Sequence, residues 1–148
     1  MSEPEVLNRL FGAWISLALE YGRGASDIRG VFIYASSERS GTSGQMFANA
    51  YFDQAGDVVA AIDVHSPGSS PDRAVRVQQL LLDDLQAAEA AFHEEGIPAP
   101  TEYRVFFEPA TRRTEVELSR EIKYRGSADL SPRHGIRYWL GDRAPKHL

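Results

Sequence analysis

Three strand-like runs follow one another between residues 28 and 64, with only short turns between them. They are "IRGVFIYASS" (28–37), "QMFANAYFD" (45–53) and "VVAAIDV" (58–64), rich in β-branched and aromatic residues. The joints are "ERSGTSG" (38–44) and "QAGD" (54–57). A parallel pair needs a crossover of roughly a dozen residues or more, which neither joint can supply. The runs therefore predict an antiparallel meander, and any further elements must pack around it.

Helical periodicity brackets the meander. Val6, Leu7, Leu10, Phe11, Trp14, Leu17, Ala18 and Tyr21 recur at helical spacing. Ser2 with Glu5 forms a capping box and Pro4 falls in the first turn, so a helix is predicted over about 3–22, closed by Gly22 and Gly24. Trp14 belongs to its core face. After the loop "HSPGSSPD" (65–72), Ser70 caps and Pro71 opens a second helix reaching about 95. Val77, Leu81, Leu85, Ala88 and Phe92 share one face, with Asp83, Asp84, Glu94 and Glu95 on the polar side; Gly96 and Pro98 end it. "TEYRVFFE" (101–108) and "TEVELSREIKY" (114–124) then flank "PATRR" as a hairpin. "SPRHGIRYWLGD" (131–142) repeats the serine–proline helix start, with Tyr138 and Trp139 expected to pack onto the sheet. The element order is α-β-β-β-α-β-β-α. It predicts a single α+β domain over 1–148: a five-stranded antiparallel sheet with helices mainly on one face and the opposite face open. "RAPKHL" (143–148) reads as a flexible, dispensable tail.

Length and composition narrow the classes. At 148 residues, with 43% hydrophobic and 25% charged residues, the chain matches one soluble globular domain. It has no cysteine, which excludes disulfides, thiolate metal sites and cysteine nucleophiles. "MSEPEVLNRLFGAW" has no basic segment followed by an apolar run, and no stretch approaches the ~18 apolar residues of a membrane span. The expectation is a cytoplasmic protein without membrane contact. Net charge is −5 and uneven: residues 1–121 hold 19 acids and 10 bases, residues 122–148 hold 2 acids and 6 bases. An acidic body argues against nucleic-acid binding, which needs cations to neutralise phosphates. It suits a basic protein partner.

Motifs for chemistry are sparse. "FHEEG" (92–96) lacks the second histidine one helical turn on that a zinc-binding helix requires. No nucleophile elbow, phosphate loop or dinucleotide glycine fingerprint occurs, and "GTSGQ" (41–45) sits in a hairpin with no helix after it. Asp63 and His65 share a face if 58–64 continues as a strand, the one arrangement that an enzyme reading could use. No cofactor or metal is expected. The residues thus favour a binding module, with a self-associating regulatory dimer as a rival. Candidate contacts are Tyr51 and Asp53, with Phe47, on the second strand, and Glu115, Glu117 and Glu121 in "TEVELSREIKY". Alternation puts these glutamates on one face and Val116, Leu118 and Ile122 on the other, with the apolar set directed inward. It leaves open whether Phe47 and Tyr51 are core or surface, and whether the glutamates meet a partner or only water.

The succession of a leading amphipathic helix, "VFIYA", "MFANAYFD", a long second helix, "YRVFFEPATRRTEVELSREIKY" and a tryptophan-bearing "SPRHGIRYWLGD" resembles the YezG-like immunity proteins of bacterial polymorphic-toxin systems. The likeness spans about 6–140. It departs at the hairpin, where "EPATRR" stands in place of a short glycine turn. The resemblance implies a non-enzymatic cytosolic antitoxin that binds a cognate secreted toxin domain, often a nuclease and hence basic. It transfers no catalytic residues.

Overall fold

The structure is a computed structural model that describes residues 2–40, 43–67, 69–124 and 130–146. The turn residues Gly41 and Thr42, and the last two residues of the tail, lie outside the described residues. The elements are α1 (Glu3–Tyr21), β1 (Ile28–Ser40), β2 (Ser43–Gln54), β3 (Asp57–Ala60), α2 (Pro71–Glu94), β4 (Glu102–Glu108), β5 (Arg113–Ser119) and α3 (Pro132–Leu140), in the α-β-β-β-α-β-β-α order of an α+β fold. The five strands form one antiparallel sheet ordered β3-β2-β1-β4-β5. No helix among the described residues is long and apolar enough to cross a membrane.

Helices α1 and α2 lie side by side on one face of the sheet. Ser2 Oγ accepts from the Glu5 amide at 3.3 Å, and Ser70 Oγ accepts from the Arg73 amide at 3.1 Å, so both starts are capped by the serines the sequence offers. The α1 stripe Val6, Leu10, Trp14, Ala18 and Tyr21 is buried against the α2 stripe Val77, Leu81, Leu85, Ala88 and Phe92 and against Val31, Ile33, Tyr103 and Val105 of the sheet. Trp14 is fully buried. Its indole N–H donates to the Leu81 carbonyl at 3.0 Å, which removes the penalty of hiding that donor.

The opposite face is not open, contrary to the sequence reading. Helix α3 lies across it and buries Ile136 against Phe32, Tyr34, Tyr51, Val58 and Ala60. Trp139 meets the Phe32 ring edge-on, with centroids 5.5 Å apart, as expected for that residue. Tyr138 points away and is 64% exposed. The approach is closest at Gly135, where a Cβ atom would stand 1.9 Å from the Tyr34 hydroxyl oxygen.

Two strands end earlier than alternation predicts. β3 stops at Ala60, because residues 61–63 wind into a 3-10 turn whose Ala61 carbonyl accepts the Tyr21 hydroxyl at 2.5 Å. β5 stops at Ser119. There the Thr101 hydroxyl donates to the carbonyls of Ser119 (3.2 Å) and Glu121 (2.6 Å), and the chain turns toward the α3 side. Ile122 lies outside the strand and is 50% exposed, not core.

Residues 143–146 pack on the body. The Arg143 guanidinium reaches Asp53 at 2.6 Å and lies over the Phe32 ring at 5.7 Å, and Pro145 is buried. Arg143 is half exposed, so its ion pair contributes under about 1 kcal/mol, and its stacking on Phe32 with the burial of Pro145 brings the segment to about 2 kcal/mol. Truncation after Asp142 is therefore expected to lower the melting temperature by about 4–8 °C, for a loss of about 2 kcal/mol. An unchanged thermal melt would show that this segment adds nothing to stability.

Candidate functional site

β5 is an outer strand of the sheet and carries the candidate surface. Its register against β4 pairs Arg113 with Glu108, Thr114 with Phe107, Glu115 with Phe106, Val116 with Val105, Glu117 with Arg104, and Leu118 with Tyr103. Tyr103, Val105 and Phe107 belong to the core under α1 and α2, so Thr114, Val116 and Leu118 share that side. Glu115 and Glu117 share the α3 side. The alternation of the sequence is thus correct for faces but not for depth. Val105 is fully buried, while Val116 beside it is 39% exposed, because the helices cover β4 and stop short of the middle of β5.

The acidic row is shorter and more mixed than the sequence suggests. Glu115 and Glu117 are exposed. Glu117 faces Arg104 across the ladder at 3.3 Å, and the Arg113 guanidinium lies 5.6 Å over the Phe106 ring on the same side. Glu121 is exposed but sits past the strand end, so it does not continue the row. What remains is a pair of carboxylates on one face and a half-exposed valine on the other, on a strand with no outer neighbour among the described residues.

The β2 candidates are placed differently. Tyr51 is 1% exposed under α3, and burial pushes its hydroxyl up to about 12, against smaller opposing effects of Asn49 and Arg133. It is a core residue and offers no contact surface. Phe47 is partly buried against Tyr34 at 6.3 Å. Asp53 is committed to Arg143 and to the Gly56 amide at 3.0 Å. β2 runs inside the sheet, and between Ala48 and Phe52 both its faces are covered, so Ala48, Ala50, Tyr51 and Phe52 serve packing.

Asp63 and His65 line a cleft of about 630 Å³ with Asp57, Asp142, Arg143 and Lys146. Asp63 belongs to the 3-10 turn and not to a strand, so the shared strand face expected for the pair does not exist. His65 is held by its main chain, through bonds of 2.9 Å to and from the Gln54 amide. Among the described residues its imidazole has no hydrogen bond to Asp63. No group of three or more histidines and carboxylates among the described residues is placed to hold a metal ion.

The sequence reading missed a buried polar cluster beneath α3. Glu102, 4% exposed, accepts from the Tyr34 hydroxyl at 2.6 Å, the Tyr124 hydroxyl at 3.1 Å and the Lys123 ammonium at 2.8 Å. Burial alone would raise its carboxyl, but the bonds from Lys123 and Tyr34 and the charges of Arg104 and Lys123 outweigh it and hold the group below the usual glutamate range. Tyr34 is pushed far above the ordinary tyrosine range by burial and then by Glu102, so it stays a donor. Glu38, 1% exposed, accepts the main-chain amides of Lys123 (2.6 Å) and Tyr124 (2.9 Å). These bonds strap Lys123 and Tyr124, just past β5, to the sheet. The signal was present in outline: Tyr34, Glu38 and Glu102 all fall on one strand face, a polar set where apolar residues would be expected.

No protein-family model matches the chain, and no curated protein matches it.

Proposed function

We propose that the protein is a non-enzymatic immunity protein, acting in the cytoplasm, that binds and neutralises a cognate basic toxin domain through the β5 edge. One observation carries the choice of surface: on β5, whose outer side has no partner strand among the described residues, Glu115 and Glu117 stand exposed on one face and Val116 between them on the other. Exposed carboxylates raise the encounter rate with a positively charged partner, and an apolar residue between them gives the contact area that charge alone lacks. The resemblance to YezG-like immunity proteins supports the same reading. A nuclease toxin would suit it, because a site that attracts phosphate is basic and an acidic edge can occupy it.

The test needs a basic toxin domain, to be sought in the gene next to that of this chain. The double change Glu115→Lys and Glu117→Lys keeps the fold at a cost of roughly 1 kcal/mol, since it sets a like charge directly opposite Arg104. Association with the toxin domain should slow at least tenfold at low ionic strength, with a smaller effect at high salt. An association rate equal to wild type at low salt removes this edge from the interface.

A further inference from the structure

The outer side of β5 offers main-chain groups as well as side chains. The Thr101 amide donates to the Ser119 carbonyl at 2.8 Å, and the β4 partners run in step from Ser119 back to Arg113. Main-chain groups in a strand alternate sides, so those of Arg113, Glu115, Glu117 and Ser119 turn toward β4. The N–H and C=O groups of Thr114, Val116 and Leu118 turn away from the sheet. Among the described residues none of them has a partner, and β5 has no neighbour beyond β4.

We propose that this edge receives an extended segment of the partner protein as a sixth strand, with basic residues opposite Glu115 and Glu117 and an apolar residue between them opposite Val116. The proposal rests on the immunity reading and adds the mode of binding. Added strands gain affinity from main-chain bonds and specificity from alternate side chains. Here the alternate side chains are both carboxylates, so the matching pattern is basic–apolar–basic. The edge also discriminates against a second copy of this chain. A two-fold pairing centred on Val116 would set Glu115 opposite Glu117 twice, and like charges directly opposite are destabilising. Glu117 already has Arg104 within 3.3 Å, so Glu115 is the stronger attractor of the two.

The probes are two blocked heptapeptides, TVKVKVT and its acidic counterpart TVEVEVT, titrated into the intact protein and followed by amide resonances and hydrogen exchange. The lysine peptide should bind at least tenfold more tightly than the glutamate peptide and slow exchange at the Thr114, Val116 and Leu118 amides by tenfold or more. Val116→Pro removes only an outward N–H, a change that edge strands tolerate. It should weaken the lysine peptide at least tenfold, while Val116→Ala, which keeps the N–H, changes binding less than threefold. Equal binding of both peptides, or exchange unaltered at those three amides, overturns the proposal. If Val116→Pro does not fold, the exchange pattern in the wild-type protein decides. The toxin domain separates the two levels of inference. Neutralisation lost in the double lysine variant but intact in Val116→Pro overturns strand addition and leaves the immunity reading standing. Peptide binding with the expected protection, in a protein that does not neutralise the toxin, supports the edge and overturns the immunity reading.

Discussion

Alanine at position 135 is expected to push α3 off the sheet and lower the melting temperature by roughly 3–20 °C, for a loss of about 1.5–5 kcal/mol. The added methyl would stand 1.9 Å from the Tyr34 hydroxyl oxygen, 2.2 Å from Cζ and 2.8 Å from the Tyr124 hydroxyl. The Tyr34 ring cannot swing aside cheaply. It is fully buried, and its hydroxyl is bonded to Glu102 at 2.6 Å. Overpacking of this kind costs about 1–3 kcal/mol, and displacing a buried charge-assisted bond adds roughly 1.5–3. Alanine gains about 1 kcal/mol in helix propensity, which is too little to offset the clash. Tryptophan emission gives a local readout, because Trp139 of α3 packs on Phe32 of the sheet while Trp14 of α1 is sealed against α2 and the sheet. A red shift below the melting transition reports a loosened α3. Wild-type stability with wild-type emission would show that the helix does not approach the sheet at Gly135.

Glu102 is the second sensitive position. Glu102→Ala leaves the Tyr34 and Tyr124 hydroxyls and the Lys123 ammonium without their shared acceptor. Breaking a buried ionic network costs about 3–5 kcal/mol, and the lower figure applies because Lys123 can turn to water. The same carboxylate should mark the acid limb of stability. Its folded-state pKa lies below its unfolded value, so the unfolded chain takes up the proton first as pH falls. Its contribution is complete above the ordinary glutamate value of 4.5 and is lost as pH falls through the lower folded-state value. Urea unfolding at pH 7 and at about pH 3 should show wild type losing stability on acidification, with Glu102→Gln losing less. Equal losses in the two proteins would assign the acid sensitivity to other groups.

Much of the scaffold is legible in the chain because its signals are local. Ser2 and Ser70 cap the helices that their positions announce, and the apolar stripes ending at Tyr21 and Phe92 face the sheet. Turn length dictated the antiparallel β1–β2–β3 order. The errors arise where the decisive contact is distant in sequence. Tyr51 lies on a strand that alternates well in either orientation, and only the arrival of Ile136 on its face makes it core. Val116 has the pattern of a buried residue, but how far α1 and α2 reach across the sheet is a tertiary quantity. Glu38 reads as a turn residue and Glu102 as an ordinary strand polar. Their roles depend on Lys123 and Tyr124, which the sequence places in a longer β5. The contact of Arg143 with Asp53 is hidden for the same reason, since nothing near Arg143 announces its partner.

The position of β1 has a consequence for how the protein is made. One side of β1 is satisfied at once by β2, through a short hairpin. The other side waits for β4: Phe32 and Phe106 are neighbours in the finished sheet, yet all of β2, β3 and α2 are synthesised between them. At roughly 5–20 residues per second, the apolar edge of residues 31–36 stays unpaired for several seconds on the ribosome. During that interval it is open to other chains, since an unpaired apolar edge templates pairing. The finished molecule instead ends its sheet on β5, where two glutamates replace the valine and aromatics of β1. An edge vulnerable during synthesis is thus exchanged, on completion, for one that repels its own kind.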